Sequence, residues 1–178
     1  MMRPRGMGIV AYAGMMALAA PARADDASDA AANQVAGLFM QSCIQFSGDK
    51  EGLRGWANKT GLTPLPADAQ KRFLYGLPGV VFDASNTAGK FVLISEDGGS
   101  CSVVAATASG PCAVTNLEQD MTAASITFRV TGEKSDREEK AIEHREYVAS
   151  RGEREWRLLV STVKNAAGGQ VMLTANRP

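Results

Sequence analysis

Three cysteines and one histidine are the residues of this chain best suited to covalent or acid–base chemistry: Cys43, Cys101, Cys112 and His144. Three thiolates and an imidazole would complete a Cys₃His zinc set, but the spacing holds no C-x₂-C knuckle, so one oxidised pair and one spare thiol are expected instead of a metal site. His144 is the single histidine, and any imidazole-dependent mechanism has to pass through it. It sits among Glu143, Arg145 and Glu146, the pattern of a solvated charged strand, and no G-x-S-x-G elbow supplies a serine for it to activate. Cys112 follows Gly110-Pro111 near the start of an expected helix, where the dipole lowers a thiol pKa, yet it has no C-x-x-C partner. Glu138, Glu139, Glu143 and Glu146 are interspersed with Lys134, Arg137, Lys140 and Arg145, which describes a wet surface better than the opposed carboxylates of a glycosidase. Gly98-Gly99 and Gly168-Gly169 lack the spacings of phosphate-cradling loops. No catalytic residue, metal ligand or cofactor is assigned on these grounds.

The elements that carry these residues change character at Gly79. Residues 25–33 are polar and Ala-rich and are expected to be a loose lead. Val35, Leu38, Phe39, Ser42, Cys43 and Phe46 recur at three- and four-residue steps, which predicts a helix stopped by Gly48 with Cys43 on its core side. Asp49 suits the N-cap of a second helix over 50–59, with Leu53, Trp56 and Ala57 on one face and Gly61 past its end. Pro66 opens a third, which carries Phe73 and Leu74 and ends at Gly76. Beyond Gly79 the runs 80–84, 90–96 and 100–106 are β-rich. A type I′ turn at Asp97-Gly98 would place Ile94 opposite Cys101 and Val92 opposite Val103. Thr115-x-x-Glu118 has capping-box form and predicts a short inserted helix carrying Leu117, Met121 and Ala124. Ile126, Phe128 and Val130, then Trp156, Leu158 and Val160, alternate with polar neighbours, and 170–175 is again β-rich, so the chain should end in an antiparallel meander. Residues 135–149 have helix-favouring composition and a Ser135-x-x-Glu138 start, but Ile142, Tyr147 and Val148 make a poor helical stripe; a strand over 140–149 is preferred to a surface helix. The fold class expected is α+β, with N-terminal helices packed on a mostly antiparallel sheet and one inserted short helix. Cys43, beside Phe39, and Cys101, in the hairpin, can then meet in the layer between helices and sheet, with Cys101–Cys112 as the rival pairing.

Arg3 and Arg5 precede an apolar run over 7–20 and the small-residue site Ala22-Arg23-Ala24, the order of a secretory signal peptide with cleavage after Ala24. The run is shorter than a bilayer span, Pro4 splits the arginines of any twin-arginine signal, and the first cysteine, Cys43, lies too far on for a lipoprotein anchor. General secretion to a periplasm or the exterior is expected, followed by one domain over 34–178 behind the lead. The 19 Lys and Arg balance 19 Asp and Glu, and loss of Arg3, Arg5 and Arg23 with the leader leaves a charge of about −3. That balance lacks the basic excess that a nucleic-acid partner requires.

The series Phe39-x-x-x-Cys43, Trp56, Phe91 and Gly98-Gly99-Ser100-Cys101-Ser102-Val103 resembles small secreted Gram-negative envelope proteins of unknown function. The resemblance implies an envelope location and pairing of Cys43 with Cys101, and it carries no activity across. The function expected is a non-catalytic binding or accessory role in the envelope, toward a partner protein or a small ligand. Two alternatives stand beside it: an immunity or inhibitor protein against an envelope-acting toxin, and a small hydrolase or thiol enzyme using His144 or Cys112.

Overall fold

The computed structural model describes residues 24–135, 141–163 and 169–176. Helix α1 (Ala24–Phe39) runs into one π-helical turn (Met40–Ile44), followed by α2 (Lys50–Lys59), strand β1 (Thr63–Pro64), α3 (Ala67–Leu74), β2 (Gly79–Asp83), β3 (Phe91–Glu96), β4 (Cys101–Ala105), α4 (Gly110–Ala123), β5 (Thr127–Ser135), β6 (Ile142–Arg151), β7 (Arg154–Val163) and β8 (Gln170–Asn176). The eight strands form one sheet in the order β1-β2-β3-β4-β8-β7-β6-β5, antiparallel at every pairing. Two meanders are thus fused at β4–β8, and α4 carries the chain from the middle of the sheet to its far edge. The α+β architecture matches the expectation, as does the strand chosen for 142–149. Residues 136–140, including Glu138, Glu139 and Lys140, lie outside the described residues.

Helices α1, α2 and α4 cover one face of the sheet around Phe39, Phe91, Leu117, Trp156 and Leu173, whereas α3 packs on the opposite face over Val81, Ile94 and Val104. The segment 25–33 is not the loose lead expected. Ala31 and Ala32 are fully buried, and Ser109 donates its amide to the Ser28 carbonyl. Alanine is the strongest helix former, and its small side chain lets α1 approach α4 closely; an apolar stripe built from alanines carries little hydrophobic signal. Asp25 and Asp26 sit in the first turn, where they complement the helix dipole.

The β3–β4 turn corrects the expected register by one residue. Gly99 adopts φ +93°, Glu96 pairs across to Ser100, and the loop is Asp97-Gly98-Gly99 rather than the two-residue Asp97-Gly98. Cys101 therefore faces Ser95 and Val103 faces Leu93, which turns both toward the helices. Asp49 caps α2 as expected, its Oδ1 accepting from the Gly52 amide at 2.8 Å. The helix is tied to the hairpin by Arg54, which donates to Ser95 Oγ (3.2 Å), to the Ser95 carbonyl (3.0 Å) and to Asp97. That hydrogen bond holds the Asp97 carboxyl below its ordinary pKa.

The inserted helix also begins earlier than expected, at Gly110, with Ser109 at its N-cap and Pro111 in its first turn. Thr115 lies inside it and donates to the Pro111 carbonyl at 3.0 Å, so the capping-box pattern at Thr115 to Glu118 does not mark its start.

Cys43 and Cys101 form the disulfide, with Cα atoms 5.3 Å apart, and Cys112 is free. The π turn adds a residue to the end of α1 so that Ser42, Cys43 and Ile44 are all buried, and the Ser42 hydroxyl donates to the Leu38 carbonyl at 2.6 Å. Joining residues 58 positions apart, the bridge should contribute about 4 kcal/mol by restricting the unfolded chain. Replacing both cysteines by alanine is expected to lower urea-measured stability by about that amount. A loss under about 1 kcal/mol would show that the bridge merely records a contact that packing already fixes.

Candidate functional site

A concavity opens where the first turns of α4 stand over β5, β6 and β7. It encloses about 510 Å³ between Gly110, Pro111 and Val114 on the helix side and Glu133, Arg145 and Thr162 on the sheet side. Gly110 suits the close approach there, since a Cβ at that position would lie 3.0 Å from the Thr162 methyl and press that side chain aside.

Alternation along β6 decides which side chains reach this cleft. Tyr147 is buried in the helix-covered core and Arg145 reaches α4, so Arg145 and Tyr147 share the α4 face while His144 and Glu146 project from the other. On β5 a bulge falls between Val130 and Gly132. Continuing the Val130–Tyr147 register without a bulge would set Glu133 opposite His144; the extra residue sets it opposite Arg145 instead, on the cleft side. The strand geometry thus re-aims one carboxylate into the site.

Four side chains form a connected network. Arg145 donates through Nη1 to Glu133 and lies 3.1 Å through Nη2 from Glu118 Oε1 on α4. Tyr147 donates its hydroxyl to the same Glu118 oxygen at 2.9 Å, and the Arg145 guanidinium stands 5.6 Å from the Tyr147 ring centroid. Phe128 meets the Tyr147 ring edge-on, with centroids 5.9 Å apart. Burial, reinforced by the Glu118 carboxylate, raises the Tyr147 pKa far above that of a free phenol, so the hydroxyl remains a donor. Arg145 Nε is buried without a hydrogen-bond partner among the described residues. The network clamps α4 to the sheet and fixes the charged wall of the cleft.

Of the sequence-derived candidates, Cys43 and Cys101 are joined in the disulfide, while His144 and Cys112 are not brought together. His144 is among the residues bordering the cleft, but its Nδ1 lies 2.9 Å from Ser161 Oγ on the adjacent strand, on the face away from α4. The solvated strand expected around it is half-buried instead, closed by this cross-strand bond. Cys112 is half-buried against the main core and is not part of the cleft lining. Cys43 and Cys101 are structural. No group of three His, Cys, Asp or Glu side chains is arranged for a metal among the described residues. The residues of the network, Glu118, Glu133, Arg145 and Tyr147, come from three separate elements, with Glu133 and Arg145 lining the cleft, and only the Thr131-Gly132 interruption of strand alternation hints at the bulge that joins them.

Removing the Tyr147 hydroxyl leaves Glu118 with one partner fewer and keeps the ring packing. Tyr147→Phe is expected to lose about 1.5 kcal/mol in chemical unfolding, the usual worth of a hydrogen bond to a charged group. An unchanged midpoint would mean that the clamp does not couple α4 to the sheet.

No protein-family model, curated protein or solved structure matches the chain, so the reading of this site rests on its own geometry.

Proposed function

We propose that the chain is an exported, non-catalytic binding protein of the cell envelope and that the cleft between α4 and β5–β7 holds a small polar ligand. The observation that carries this reading is the bulge-directed pairing of Glu133 with Arg145 at the cleft wall. A wall of charges already paired with one another is preorganised for recognition, which lowers the ordering cost of binding. Turnover asks for something else, a nucleophile or base poised at the reacting atom. Here the Arg145 cation is held by two glutamates, and the His144 ring is engaged by Ser161 across the sheet. The cleft offers carboxylates and a guanidinium together with the apolar Val114 and Val160, which suits a ligand bearing groups of both signs on a short carbon frame. Export is supported by the order of the leader, Arg3 and Arg5, the apolar run and Ala22-Arg23-Ala24, and by an internal disulfide, which persists in oxidising compartments.

A second reading is favoured by one contact. The His144–Ser161 pair has the atom types of a hydrolytic dyad. Thermal unfolding in the presence of free amino acids, dipeptides and amino sugars separates the two. The binding reading predicts that a zwitterionic member of the panel raises Tm by several degrees and that Val114→Trp, which fills the cleft, removes the shift. Absence of any cleft-dependent shift, together with ester or peptide hydrolysis that falls by about 10²-fold in a folded His144→Ala variant, would replace binding with catalysis.

A further inference from the structure

Large apolar side chains stand in solvent at three places among the described residues, and two of them share one turn: Tyr75 is 88% exposed and Leu77 53%, between α3 and β2. Tyr75 adopts φ +48° and ψ +35°, the left-handed conformation that a glycine takes at a helix end without strain. The cap itself needs only backbone, with the Tyr75 amide donating to the Lys71 carbonyl (3.3 Å) and the Leu77 amide to the Leu74 carbonyl (2.8 Å). The aromatic ring therefore stands outward on a left-handed backbone, largely uncovered among the described residues. Beside it opens a cleft of about 330 Å³. One wall is Ala67, Gln70, Lys71 and Leu74, spaced as one face of α3, and the turn residues Gly76 and Leu77 complete it.

Knob and cleft on a single patch satisfy the requirement of a two-fold, self-complementary contact, in which each copy gives and receives the same group. The charges along α3 agree with that symmetry. Asp68 lies in its first turn, Lys71 and Arg72 in its last, and all three are exposed. Asp68 and Lys71 pair within the helix at 2.8 Å, which leaves Arg72 without an ion-pair partner among the described residues. Two α3 helices laid antiparallel bring Asp68 of each against Arg72 of the other. The same register carries Tyr75 to the Ala67 end of the opposite helix, where a short side chain leaves room. We propose that this corner is a self-association surface, on which a second copy of the chain docks about a two-fold axis with Tyr75 of each protomer seated in the cleft beside α3 of the other. The inference is independent of the ligand assigned to the α4 cleft.

Two tyrosines and two leucines bury less than the roughly 1,000 Å² of a stable interface, so association should be weak and concentration-dependent. Sedimentation equilibrium of the purified protein from about 10 μM to about 1 mM is expected to show the mass rising from monomer toward dimer. Tyr75→Gly is expected to abolish that rise while raising Tm, because glycine relieves the left-handed backbone; the opposite signs exclude misfolding as the cause. R72D should also lose association, and the charge swap D68R/R72D should recover it. A monomeric mass through about 1 mM, a dimer that survives Tyr75→Gly, or a swap that stays monomeric while folded would overturn the proposal. Tyr75-dependent sedimentation of monomer with phosphatidylglycerol vesicles would assign the corner to a lipid surface and overturn it likewise.

Discussion

The pairing of β4 with β8 is the interaction on which the rest of this fold depends. It joins Cys101 to Ala175, Val103 to Leu173 and Ala105 to Val171 at the centre of the sheet, and all six side chains are buried beneath the helices. Each meander alone would expose a long edge of unpaired amides and carbonyls there. Closing that seam turns two four-stranded pieces into one surface broad enough to bury α1 and α4 together. The disulfide reinforces the same place, because Cys101 belongs to the seam strand and Cys43 to the helical layer above it.

The cleft follows from this arrangement. Since β8 occupies the position next to β4, the chain leaving β4 has to travel to the far edge before its meander can return, and α4 is the connection that makes the crossing. Its first turns lie over β6 and β7 with Gly110 pressed against Thr162, and the Tyr147–Glu118–Arg145–Glu133 network fixes its position over the strands. Charged groups held in this way are partly desolvated and already paired, so the cleft wall keeps its shape in the absence of a ligand. The opposite face of β6 and β7 presents His144, Glu146 and Ser161, and α3 covers the β2–β3 end of that face, so the two sides of one sheet carry different chemistry.

Residue periodicity made the architecture legible and left its chemistry hidden. The Asp49 cap, the alternation of Trp156, Leu158 and Val160, and the Gly61 stop are local signals, and each element stands where its own residues direct it. The pairing of Cys43 with Cys101 was legible for a related reason, since helix period puts Cys43 on the core side and the hairpin of Cys101 is apolar on both faces. Two of the failures were single-residue shifts. A two-residue turn at Asp97-Gly98 and a three-residue turn closed by Gly99 differ by one position, and that position decides whether Cys101 pairs with Ile94 or Ser95. The bulge before Gly132 is the same event on β5, and there it selects Arg145 over His144 as the partner of Glu133. With a side-chain period of two, one residue exchanges the faces of a strand, so the residues that build the site depend on the least visible feature of the pattern. The buried alanines of α1 were illegible for a different reason: their contribution is closeness of approach rather than hydrophobic area.

Native-state hydrogen exchange resolved by residue tests the central role of the β4–β8 seam most directly. If the seam holds the two meanders in one cooperative unit, amides of β4 and β8 exchange only through global unfolding, with a free energy equal to that from urea denaturation. Exchange of β8 at a free energy several kcal/mol lower, with β2 to β4 still protected, would contradict the account by showing that the C-terminal meander opens on its own.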